Sequence, residues 1–249
     1  MAMEHQPSGP PQAVAGSDHP DAAARALRVQ MLATEHWSLL ATRSLSWNES
    51  FARASMFLTL LSGATVALAL VAQATAFGEG FAVFALLVLP VVLFIGLATY
   101  VRLLEINNED YVWVKGMNRL RGAYLEIDPQ LARYFITGAT EDAEGIFRTF
   151  GSEVGASSLD TGRFHGLVTT PVTIAFVDAM LAAVLTSIVV VQLRMAMLPA
   201  AGIGVVAFLV VGIALFLFGY RSQDMAQLYA DAQPTLEQPM PKDQQEGSQ

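Results

Sequence analysis

Long apolar runs alternate with polar stretches along this chain. Ala54–Gly78 is 25 residues without a charge, and Gly80–Val101 is 22. Leu167–Leu193 is 27, interrupted by Asp178 alone, and Met195–Tyr220 is 26. About 20 apolar residues in a helix cross the hydrocarbon core of a bilayer. A helix also satisfies its backbone polar groups internally, as lipid demands. The pattern therefore predicts an all-α fold with four transmembrane helices in two hairpins.

The polar stretches beside the first two spans keep a helical rhythm. Ala33, Trp37, Leu40, Ser44, Trp47 and Phe51 recur at steps of four and three and run into the first span. No Gly or Pro interrupts Asp21–Ser62. Beyond the second span, Ile106, Trp113, Met117, Leu120, Tyr124 and Ile127 do the same, with polar residues on the other faces. The first two helices are thus expected to extend into a cytoplasmic stalk, pairing antiparallel. Trp37, Trp47, Trp113 and Tyr124 are its aromatic anchors; a ligand pocket or partner groove is the alternative use of these stripes. Asp18 or His19 caps the first helix, and Pro20 suits its first turn. Asp128-Pro129 ends the second arm. Short helices are expected over Pro129–Ile136 and Glu141–Phe150, the latter stopped by Gly151, with a loop over Gly151–Gly166. Pro90 predicts a kink and Gly96 a weak point in the second span.

The resulting division is a disordered tail over 1–19, a cytoplasmic arm over 20–53 and a first hairpin over 54–101. A cytoplasmic helical segment over 102–166, a second hairpin over 167–220 and a helix end with a disordered tail over 221–249 complete it. The opening residues lack the apolar core of a signal peptide.

Charge sets the orientation. Arg53, Arg102, Arg163 and Arg221 mark one end of each span. The links Gln73–Gly80 and Gln192–Ala200 carry one basic residue, Arg194. Thirteen of 14 Lys/Arg then lie on one side, which the positive-inside rule places in the cytoplasm together with both termini.

Composition narrows the chemistry. The chain of 249 residues is 53% hydrophobic and 14% charged, with net charge −8. Residues 102–165 hold ten acidic and seven basic side chains, a balance that does not suit nucleic acid. The absence of cysteine excludes disulfides, thiolate nucleophiles and Cys-ligated metals. Four scattered histidines and the lack of P-loop, G-x-G-x-x-G and G-x-S-x-G motifs leave no catalytic, cofactor or metal centre to name. His36, beside Glu35 and Trp37, is placed to titrate near neutral pH or to serve as a polar arm residue.

Asp178 is the one charge inside a span, near its middle. An Asp there costs roughly 2.5–3.5 kcal/mol on the insertion scale, and such residues line bundle interiors or watery cavities. It reads either as an ion, proton or gating centre or as a packing hydrogen bond. Ser55, Thr59, Ser62, Val66, Ala69 and Gln73 form a small and polar seam on the first span. The seam offers partners for Asp178, close helix packing or a pore lining. Gly63-x3-Ala67, Ala179-x3-Ala183 and Ala200-x3-Gly204 add small-residue contacts. Glu105, Glu109 and Asp110, with Asn107 and Asn108, form an acidic cluster, read as a solvated or salt-bridged face.

The stretches His36-Trp37, Trp47–Ser55, Val71–Ala74, Glu105–Asp110 and Gly116–Arg121 resemble actinobacterial four-span integral membrane proteins of uncharacterised function, over about Glu35–Tyr220. Twelve Arg to two Lys fits a GC-rich genome. The architecture is also similar to the SLATT-type and four-span Pycsar membrane effectors. Continuous arm–span helices, small-residue seams and missing catalytic groups lead to the expectation of a non-enzymatic inner-membrane protein that self-associates. Its cytoplasmic helices would sense or oligomerise, receiving a protein or small-molecule signal, and its spans would act on or gate the bilayer. A small ion- or proton-coupled transporter centred on Asp178 and a membrane scaffold for a protein partner are the alternatives.

Overall fold

The computed structural model describes residues 20–154 and 169–232, and the described residues are helical without a strand. Helix α1 spans Pro20–Thr75 and α2 spans Glu79–Ile127. A 3-10 turn over Pro129–Tyr134 and helix α3, Ala143–Val154, follow. Helices α4, Thr170–Gln192, and α5, Met197–Ala232, complete the fold. Four of these helices, α1, α2, α4 and α5, are long and apolar enough to cross a membrane. The proposed capping residues Asp18 and His19, both terminal tails, Arg163 and most of the loop Gly151–Gly166 lie outside the described residues.

α1 and α2 run antiparallel along their whole length. A turn at 76–78 joins them, with Ala76 and Phe77 at φ of 46° and 58°. Further along, Glu49 meets Arg102 and Arg43 meets Asp110. At the far end Arg25 donates to the Ile127 carbonyl at 3.2 Å. At 56 and 49 residues the two helices measure about 84 and 74 Å. α2 passes through Pro90 as one helix.

α4 pairs with α5 across a tight link at 193–196, where Arg194 takes a φ of 69°. Gly204 and Ala200 let the pair close. A Cβ at Gly204 would collide with the Ser187 hydroxyl, which donates to Ala200 O at 3.3 Å. α2 is the hub, packing against α1, α4 and α5. The main core joins Phe57 of α1, Leu89, Val92 and Leu103 of α2, and Ile174 of α4. Lipid tails are as apolar as these side chains, so close packing, not the hydrophobic effect, holds the spans together.

A second core clamps α3 onto the outer part of α2 through Val114, Met117 and Ile146. Asn118, fully buried, anchors it. Its amide donates to Thr140 O at 2.9 Å, and its oxygen accepts from Thr149 Oγ1 at 2.8 Å. Asp128 caps the 3-10 turn by accepting from Gln130 N at 2.9 Å. α3 continues to Val154 through Gly151, correcting the expected stop. A single glycine costs a helix only about 1 kcal/mol and breaks it only when packing agrees.

Candidate functional site

Asp178 sits at the junction of α1, α2 and α4 and is fully buried. Gly96 of α2 makes the space. A Cβ there would collide with the Asp178 carboxyl and stand 2.9 Å from the Phe57 ring. Gly96 is thus a socket rather than the expected weak point. Among the described residues neither carboxyl oxygen has a hydrogen-bond partner. The expected packing hydrogen bond is not formed, and an unpaired polar group in hydrocarbon is costly.

The seam does not supply it. Ser55, Thr59, Ser62 and Gln73 are all exposed. Thr59 and Ser62 donate instead to carbonyls four residues back on their own helix, each at 2.8 Å. Gly63 has nothing within 4 Å of where a Cβ would stand.

The aromatic anchors separate. Trp113 is half-buried on α2, its Nε1 enclosed without a partner among the described residues, and Tyr124 stacks on His36 at 6.1 Å. Trp37 is 71% exposed and Trp47 44%. Trp37 therefore does not anchor the α1–α2 pair, a correction to the expected core stripe. The face of α1 that packs on α2 carries Arg43, Ala54, Phe57, Ala64 and Ala72 instead. Between phases of a stripe and a neighbouring face lies only a rotation of the helix, and α1's alanine-rich buried face left no signal strong enough to fix it.

Seen on the structure, the aromatic stripe and the polar seam are one surface. Twelve positions from Ala33 to Gln73 follow at steps of three or four, about 3.6 residues each, and so share one side of a straight helix. All but half-buried Ala33 are exposed. The half preceding the apolar run is aromatic and aliphatic; the half within it is small and hydroxylated.

Two polar clusters lie between the arms. The Arg43 guanidinium grips Asp110 bidentately, Nε to Oδ1 at 2.6 Å and Nη2 to Oδ2 at 3.1 Å, and Trp47 Nε1 donates to Oδ1 at 3.2 Å. Both charged side chains are about nine-tenths buried. Removing one partner from such a pair costs about 3–5 kcal/mol, because the other charge stays buried. Nearer the apolar runs, Glu49 accepts from Arg53 at 2.8 Å and from Arg102 at 3.0 Å, while Arg102 also holds Glu105 and Glu109. Hydrogen bonds from Arg102, then Arg53, hold the Glu49 carboxyl down at about 2. The acidic cluster is thus split: Glu105 and Glu109 face Arg102, and Asp110 faces Arg43. Arg119 bonds Glu141 at 2.6 Å. Burial, helped by Arg121, pushes His36 below its ordinary value of 6.5, so it does not charge at neutral pH. Arg221 is exposed. Among the described residues no group of three or more His, Asp or Glu could hold a metal.

Fold and sites together define an all-helical, multi-pass membrane protein. No protein-family model, curated protein or solved structure matches the chain.

Proposed function

We propose that this is a self-associating inner-membrane protein whose outer α1 surface joins copies of the chain. The spans form two hairpins, the arms lie in the cytoplasm as a sensing stalk, and the spans respond by perturbing or gating the bilayer. The observation that carries this reading is the exposed α1 surface. In water an exposed run containing Trp37, Leu40, Trp47 and Phe51 calls for a partner. In lipid, small and hydroxyl residues allow close helix approach. A second α1, entering the membrane from the same side, meets both needs along one parallel contact, and a two-fold axis makes that contact self-complementary. The side assigned to the arms rests on the bias of 13 of 14 basic residues. Stepwise photobleaching of tagged protein in native membranes tests this. Two or more subunits are expected, falling mostly to one in Trp37→Glu. Monomeric wild-type protein overturns the reading, and an external reporter at Glu144 overturns the cytoplasmic assignment.

A second reading rests on Asp178: a buried, unpartnered carboxyl in a socket kept open by Gly96 suits a proton- or ion-coupled switch. It is compatible with the first if the switch is what the stalk controls.

A further inference from the structure

A cavity of about 640 Å³ lies among α2, α4 and α5, without α1. Its volume is that of a small-molecule site. It is a groove with graded polarity. At one end stand Ala179, adjacent to Asp178 near mid-span, and Phe208. At the other stand Asn107 and Gln223, beyond the apolar runs, and Thr169, near the start of the third run. From Thr169 to Ala179 is ten residues of α4, about 15 Å. Half of a hydrocarbon core about 30 Å thick is the same distance. Phe176 and Phe216 line the groove and are more than half exposed, so it opens onto the surface that faces lipid. Small residues make the space. A Cβ at Gly212 would meet only Ala179, at 3.8 Å. Tyr100, another lining residue, is held aside by donating to Leu215 O at 2.6 Å.

We infer that this groove holds one acyl chain of a bilayer phospholipid from the leaflet on the side of the arms. The chain lies along the apolar part, and the headgroup's ester region reaches the amides of Asn107 and Gln223. Gradient, length and lateral opening match an acyl chain with its polar headgroup at the boundary. The inference does not depend on self-association.

The test is photo-cross-linking in vesicles of phosphatidylethanolamine and phosphatidylglycerol containing phosphatidylcholine with a diazirine in one acyl chain. Labelled peptides are mapped by mass spectrometry. Labelling of 170–179 and 208–219 is expected to exceed that of 83–91, a stretch of α2 whose Val83, Leu87 and Val91 face outward, by at least fivefold. Gly212→Leu and Ala175→Phe, which fill the groove from different helices, should each erase that excess and leave 83–91 unchanged. Uniform labelling overturns the inference, as does an excess that survives both fillings. Gly212→Leu adds its side chain where the backbone has room, and labelling at 83–91 reports whether each variant is folded in the bilayer.

Discussion

Asp178, Gly96, Arg43 and Asp110 show what single residues decide in this molecule. Asp178 was conspicuous in the sequence because charge inside an apolar run is rare. Gly96 stood out only as a weak point in α2, because a glycine that receives a side chain from another helix looks like any other glycine. Asp110 was visible as one member of an acidic cluster, but its partner lies 67 positions away and only the pairing of α1 with α2 brings them together. Asp178→Asn keeps shape and hydrogen-bonding capacity and removes ionisation. If Asp178 works by ionising, this variant should keep its expression and oligomer profile and lose toxicity in cells or flux in liposomes. A folded, fully active Asn variant would return Asp178 to packing.

Acid should loosen the arms in two windows. His36 binds its proton less readily folded than unfolded, so folding stability falls as pH drops below about 6.5. Glu49 behaves as a depressed carboxylate: its contribution is present above 4.5 and is lost as pH falls from there towards about 2. Thermal unfolding in detergent at pH 7.5 and 5.5 reads the first window, and His36→Gln should flatten it. An unchanged slope in that variant would remove His36 as its cause.

At the scale of elements, the helices were legible and their facing was only half so. The length of α1, the antiparallel arm pairing and the short segments after Asp128 follow from apolar runs, unbroken helix formers and an Asp-Pro stop. α2's stripe carries buried Ile106 and Met117, with α1 and α3 packed against the helix. α1's stripe has the same periodicity, yet periodicity identifies a face and not its neighbour. The aromatic side draws the eye; the alanines that pack on α2 do not. The two tryptophans should therefore part company. Trp113→Ala removes a large half-buried ring and should cost roughly 3 kcal/mol, near the low end of the range for buried aromatics. Trp37→Ala should leave the thermal stability of the dispersed protein unchanged within about 0.5 kcal/mol, as for an exposed site. Equal losses in both would put Trp37 in the protomer's own core.

For the whole molecule, the proposed association surface runs from water into lipid. The same side of α1 is aromatic before the apolar run and small and hydroxylated within it, and both halves lack cover in a single copy. No single window of sequence reveals this, because hydropathy changes meaning at the membrane boundary: aromatic residues signal contact on the watery side, small ones on the lipid side. The second surface feature, the groove among α2, α4 and α5, depends on three helices and had no sequence signal beyond its glycines. The chain has no cysteine, so single introduced cysteines report contacts without background. The most direct measurement is disulfide cross-linking of single-cysteine variants in native membranes. Cysteines at Trp37, Ser44, Ser55, Ser62 and Gln73 should give dimers through both halves of α1. Cysteines at Leu45 and Met56, exposed on another face of α1, and at Val83 of α2 should not cross-link. Dimers that follow the Leu45 and Met56 face, or no phase at all, would contradict the account.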